Sequence, residues 1–152
     1  MELARPATES DHAACRALLR DALSAASAMR GGPVLVGAAT PESMLARWAG
    51  AADSRLLVGE YEGAVVGILG ATIAPAREGL GARALVECCY VETMARGVGV
   101  GSALMASAVE WAASRQCAEI DALALPGDRS TKQRLEAAGF TARLLTLSRG
   151  LG

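Results

Sequence analysis

The sequence predicts an α/β (α+β) fold, a mixed, mostly antiparallel central sheet flanked by helices, in the order β-α-α-β-β-β-α-β-α-β. Three observations carry this expectation. Apolar segments between Arg55 and Val91 are cut by the turns Glu62-Gly63 and Arg77–Gly81, the pattern of an antiparallel meander. A glycine-rich turn, a long helix and another strand follow, which reads as a βαβ unit. Two capped amphipathic segments precede the meander.

Leu3 opens a short first strand that Pro6 ends. Thr8 and Asp11 stand in the T-x-x-D relation of a capping box. After them Cys15, Leu18, Leu19, Ala22 and Leu23 recur at helical spacing, predicting a helix to about Met29. Gly31-Gly32-Pro33 breaks it, and a loop leads to Thr40-Pro41-Glu42, which supplies a cap, a proline at the first helical position and an acid in the first turn. That second helix carries Met44, Leu45 and Trp48, and Gly50 closes it.

From Arg55, Leu56, Leu57 and Val58 predict a strand, with Ala64–Ile73 as its hairpin partner and Ala84–Val91 as the next strand. Beyond Arg96-Gly97-Val98-Gly99-Val100-Gly101 a helix runs through Ser114, with Val100, Leu104, Ala108 and Trp111 on one face. A strand (Ala118–Leu125), a loop at Pro126-Gly127, a helix (Arg129–Ala138) and a terminal strand from Phe140 to about Ser148 complete the chain.

A length of 152 residues suits one domain over 1–152, and with 3% aromatics its core is built from Ala, Val and Leu. A net charge of −1, with both signs spread along the chain, argues against a nucleic-acid protein, which presents a basic face. No stretch approaches the roughly 18 apolar residues of a membrane span. Met1-Glu2-Leu3-Ala4-Arg5-Pro6 lacks the basic and apolar regions of a signal peptide. Cys15, Cys88, Cys89 and Cys117 match neither a disulfide framework nor a zinc site, so no metal and a reduced, cytoplasmic protein are expected.

The glycine-rich turn is the most informative segment. Gly97, Gly99 and Gly101 free the backbone between strand and helix, so successive N–H groups and the helix dipole can converge on a phosphate, with Arg96 at the mouth. A dinucleotide turn fits poorly, because its third glycine and its ribose-binding acid are missing and three antiparallel strands precede it. No Gly-Lys-Ser/Thr follows, which excludes a P-loop. Taken alone, the glycines are equally accounted for as a tight turn.

The segment Tyr90-Val91, four residues, then Arg96-x-x-Gly99-x-Gly101 resembles the signature of the GNAT superfamily of N-acetyltransferases, Gln/Arg-x-x-Gly-x-Gly/Ala. The resemblance extends over nearly the whole chain. Arg5-Pro6-Ala7-Thr8 looks like the family's opening, Leu57-Val58-Gly59 and Val65-Val66-Gly67 like its next strands, and Leu135-Glu136-Ala137-Ala138-Gly139-Phe140 like its closing helix. It implies an acetyl-CoA-dependent transfer of an acetyl group to a primary amine by direct attack in a ternary complex. Acetyl-CoA would wedge between the strand ending at Val91 and Ala118–Leu125. Backbone groups at Tyr90 and Val91 would meet the pantetheine arm, and Val98, Gly99, Gly101 and Ser102, with Gly97 and Arg96, would take the pyrophosphate.

Many members place a glutamate where Glu87 stands, the only acid inside an apolar strand, to draw the amine's proton. Strand alternation puts Glu87, Cys89 and Val91 on one face and Tyr90 on the other. Two departures concern mechanism. Leu135 occupies the place of the usual thiol-protonating Tyr, leaving a water, Ser130 or no dedicated acid, and Asp128 the place of an Asn that bonds pantetheine. Arg129, Lys132 and Arg134 are read as either contacts to the adenosine phosphate or a solvated helix side. Trp48 and Cys89 read first as packing residues.

A single terminal strand leaves an open sheet edge, so a homodimer that covers it is expected. The resemblance implies a small-molecule or peptide amine as acceptor, chosen by the stretch from about Ala25 to Gly50. The alternative to an enzyme is a non-catalytic acyl-CoA-sensing module of the same fold; a nucleotide-dependent oxidoreductase rests on the glycine turn alone.

Overall fold

The computed structural model describes residues 3–152. Its sheet has five strands in the order β1 (Leu3–Pro6), β2 (Ser54–Tyr61), β3 (Ala64–Arg77), β4 (Gly81–Val91) and β5 (Glu119–Ala122). The first four pair antiparallel, and β5 joins β4 in parallel after the crossover through helix α4 (Val100–Ser114). The remaining helices are α1 (His12–Ser27), α2 (Gly32–Val36), α3 (Pro41–Trp48) and α5 (Arg129–Ala137). The mixed, mostly antiparallel sheet expected from the sequence is present.

Two apolar layers hold the helices to the sheet. On one face Val100, Leu104, Ala108 and Trp111 of α4 pack against Leu57, Leu69, Val86 and Val91. On the other, Cys15, Leu18 and Leu19 of α1 and Leu45 and Trp48 of α3 cover Leu56, Val58 and Ile68. Each such fully buried aliphatic side chain contributes about 1.5–3 kcal/mol. Gly70 is required where α3 meets β3, because a Cβ there would fall inside the Trp48 indole.

Polar anchors fix the first helices. Asp11, buried at the end of a one-turn 3-10 segment, accepts from the Thr8 N–H at 2.7 Å and from Arg5 at 2.8 and 3.0 Å. The same guanidinium reaches Glu60 on β2 at 2.6 Å, so the cap also ties β1 and β2 together. The Arg5 hydrogen bonds hold the Asp11 carboxyl well below the usual carboxylate range, against the opposing effect of burial. At α3 the exchange is reciprocal: Thr40 Oγ1 accepts from Ser43 N–H, and Ser43 Oγ from Thr40 N–H.

Several boundaries differ from expectation. α1 ends at Ser27, not near Met29, and the expected loop contains α2. Pro33, expected to break the first helix, lies six residues beyond its end and has the fixed φ that starts the next. β3 and β4 extend to Arg77 and Gly81, giving a longer hairpin. β5 covers only 119–122 rather than 118–125.

The terminal strand expected from Phe140 to Ser148 does not form. Phe140 packs on the α4-side core, and residues 141–152 are exposed coil. With Leu144 and Leu145 adjacent, the segment lacks the alternation that buries one face, and β5 offers a four-residue edge to pair with. Among the described residues its one ion pair to the sheet is Arg143 to Glu119, at 3.8 Å.

Candidate active site

A break in strand register builds the site. Gly70 lies opposite Cys88, yet the next residue of β3, Ala71, lies opposite Val86, so Glu87 is the extra residue of a β-bulge. Alternation therefore fails here. Cys89 and Val91 pack on the α4 side as Val86 does, while Cys88 and Tyr90 pack on the α1/α3 side. Glu87 turns to that second side too, where it meets Trp48. The expectation that Glu87, Cys89 and Val91 share a face, with Tyr90 opposite, is corrected: Glu87 and Tyr90 lie together.

The bulge also opens the sheet. Parallel pairing of β4 with β5 stops at Val86↔Ala122, immediately before Glu87. A bulged strand bends and twists more strongly, and past this point the two chains separate. Glu92 N–H donates to Val66 on β3 at 2.9 Å, so the antiparallel ladder sends the backbone groups of Tyr90 toward β3 and those of Cys89 and Val91 toward the opening. A cavity of about 810 Å³ occupies the gap.

Glu87 lines it, held on three sides. Its Oε1 accepts from Thr72 Oγ1 at 2.9 Å and from Trp48 Nε1 at 3.3 Å, and Oε2 pairs with Arg47 at 3.0 Å. All three partners donate, which positions the carboxylate as an acceptor facing the cavity. The reading of Trp48 as core packing holds, since it is buried, but its indole N–H also orients Glu87.

At the other end stands the glycine turn. Gly97 and Gly99 both have left-handed backbones, at φ +85° and +93°, and Gly99 caps the N-terminus of α4. Tyr90, Val91, Arg96, Gly97, Gly99, Gly101, Ser102 and Asp128 line the cavity together with Glu87. Val98 does not; its side chain packs on the core. Arg96 donates from Nε to the Val91 carbonyl at 2.9 Å and stacks over the Tyr90 ring at 5.5 Å.

Arg134, left undecided by the sequence, proves to be a cavity residue. A Cβ on Gly101 would lie 2.7 Å from its Nη1, so the guanidinium sits over the first turn of α4. Asp128 caps α5, accepting from Thr131 N–H at 3.1 Å and Thr131 Oγ1 at 2.6 Å. Leu135, one residue beyond Arg134, turns into the core. Cys89 borders the cavity, but burial pushes its thiol up to about 11, so it is a neutral wall.

The arrangement fits acetyl-CoA. Amides of a pantetheine arm need an unpaired strand edge, which β4 supplies at Cys89 and at the Val91 N–H, the Val91 carbonyl being taken by Arg96. A pyrophosphate needs converging N–H groups and cations, which the Gly97–Gly101 turn, the α4 N-terminus, Arg96 and Arg134 supply. Among the described residues no cluster of His, Cys, Asp or Glu could hold a metal, and no helix is long and apolar enough to cross a membrane.

The sequence profile of the acetyltransferase (GNAT) family matches residues 15–140. No curated protein sequence matches significantly. Among solved structures, a transcriptional regulator from Bacillus halodurans C-125 is 24% identical over 99% of this chain and 100% of its own, with a TM-score of 0.78. An aminoglycoside antibiotic 6'-N-acetyltransferase from Acinetobacter haemolyticus is 17% identical over 98% of this chain and 99% of its own, TM-score 0.71. An aminoglycoside N-acetyltransferase in complex with CoA is 17% identical over 98% of this chain and 95% of its own, TM-score 0.73. At these identities the likeness is one of fold.

Proposed function

Because the chain belongs to the GNAT family of acetyltransferases, we propose that residues 1–152 form one acetyl-CoA-binding domain that transfers the acetyl group to a primary amine within a ternary complex. The observation that carries this is the bulge: it places Glu87 beside a split strand edge whose far end leads to the glycine cradle. Acetyl-CoA supplies an activated acyl thioester. Every other task falls to the chain.

Gly97, Gly99, Gly101 and Ser102 surround the pyrophosphate with Arg96 and Arg134, while Tyr90 and Asp128 border the arm. Val91 N–H, at the open edge, polarises the thioester carbonyl and stabilises the oxyanion. Glu87 takes one proton from the bound ammonium and passes it to solvent. The freed nitrogen lone pair then bonds to the thioester carbon, and the carbon–sulfur bond breaks with its electron pair on sulfur. The nitrogen's second proton reaches that sulfur through water, since Leu135 lies in the core and offers no hydroxyl.

Calorimetry with acetyl-CoA, CoA and NADH tests the ligand: binding of the CoA compounds alone is expected, and NADH binding alone would overturn the reading. Glu87→Gln should lower kcat/KM by about 10²–10⁴-fold with acetyl-CoA affinity retained. The buried Leu135 favours one second reading, an acyl-CoA sensor, which predicts no turnover in the wild type either. The open edge of β5, and Leu144, Leu145, Leu147 and Leu151 exposed in the chain's last segment, support a homodimer. Four free cysteines support a reducing, cytoplasmic setting.

A further inference from the structure

The acceptor half of the cavity has a composition that selects its occupant. Its walls come from α1, α2, α3 and the turn between the first two, including Ala22, Ala26, Met29, Val36 and Met44, and its rim carries exposed Leu35 and Leu123. Among its described residues the charged groups are two, Arg47 and Glu87, and they face each other at 3.0 Å. Glu87 is largely sheltered, at 17% side-chain exposure, whereas Arg47 is 61% exposed and free to swing.

From these observations we infer that the acceptor is a free α-amino acid with an apolar side chain, an inference that rests on the acetyltransferase reading above. An amino acid holds its ammonium and carboxylate on one carbon, about 3 Å apart. Such a zwitterion spans the two side chains once the exposed Arg47 swings off the sheltered Glu87. When such a zwitterion enters, its ammonium takes Arg47's place on Glu87, and its carboxylate takes Glu87's place on Arg47. One ion pair becomes two, and no charge is left without a partner. The apolar side chain lies against the Ala and Met wall.

Other amines fit worse. A polycation such as an aminoglycoside would meet a single carboxylate, already paired, and the like charge of Arg47. A peptide N-terminus or a simple alkylamine would displace Arg47 from Glu87 and give it nothing in return. The same two residues thus set both the reactive nitrogen's position and the demand for a carboxylate beside it.

The test uses the wild-type protein with acetyl-CoA and a matched panel: L-leucine, L-methionine, L-leucinamide, isoamylamine and neamine, with N-acetyl products identified by mass spectrometry. Leucine or methionine should exceed leucinamide and neamine by at least about tenfold in kcat/KM, the value of one charge-assisted hydrogen bond. Arg47→Gln should bring the leucine-to-leucinamide ratio close to one, and Arg47→Lys should restore part of it. Equal use of leucine and leucinamide by the wild type, or preference for neamine, would overturn the inference. Acetyl-CoA binding without turnover of any panel member would favour the sensor reading and remove the inference with the transferase reading beneath it. Failure to bind acetyl-CoA in calorimetry would instead remove the reading beneath it.

Discussion

Gly99 offers the sharpest test of how the cradle is built. It caps α4 at φ +93°, ψ 0°, a backbone that a side chain opposes because its Cβ crowds the adjoining carbonyl. Forcing an L-residue into this region costs about 1–2 kcal/mol, and Asn suffers less than Ala because its side chain bonds locally. For a chain of this length, 1 kcal/mol moves the melting temperature by about 2–4 °C. Gly99→Ala should therefore melt about 2–8 °C below the wild type, Gly99→Val lower still, and Gly99→Asn between wild type and Ala. Any relief of that strain rotates the peptide N–H groups away from their common focus. Acetyl-CoA affinity should consequently fall by about 10-fold or more, in the same rank order. Thermal unfolding followed by circular dichroism, paired with calorimetric titration, reads both quantities. Should Gly99→Ala melt with the wild type, the left-handed turn is not what shapes this loop, and the reasoning fails.

Three further outcomes follow. Asp11→Asn should destabilise the fold by about 3 kcal/mol, because it removes the buried carboxylate that takes two Arg5 nitrogens, while Glu60 remains. Since the folded Asp11 carboxyl lies below its unfolded value of about 3.9, its stabilisation is complete above that pH and is lost as pH falls beneath it; urea unfolding should show a steeper acid decline in the wild type than in Asp11→Asn. Leu135→Tyr should not raise kcat, since position 135 faces the core, and it should cost about 1–3 kcal/mol by overpacking. Light scattering at micromolar concentration should give twice the chain mass; a monomer would remove the proposed homodimer.

What was legible in the sequence was chiefly what local chemistry determines. The Thr40 cap, the Glu62-Gly63 turn and the left-handed glycines before α4 are each dictated by one to four neighbouring residues, and each stands where it was expected. The bulge was not legible. Alternation counts residues in one strand, whereas a bulge is a relation between two, and the apolar run from Ala84 to Tyr90 hides its phase because both faces are buried. Arg134 was equally hidden, since a charged helix residue declares its direction only once Leu135 beside it has chosen the core. The last leucines misled for the opposite reason: they are apolar enough for a strand, but a strand also needs alternation and an edge long enough to receive it.

The extra residue in β4 has a consequence for how this protein can change. In a regular strand, altering a buried position perturbs the sheet's inner lattice, because every side chain there is committed to one layer or the other. Glu87 stands opposite no residue of β3 and outside that commitment. The layers of its neighbours are set by their own pairing with β3, while Thr72, Trp48 and Arg47 limit what occupies position 87 to groups they can bond. Position 87 is thus a socket in the scaffold, where the group that meets the acceptor can be exchanged while Val86, Cys89 and Val91 keep the sheet sealed against α4.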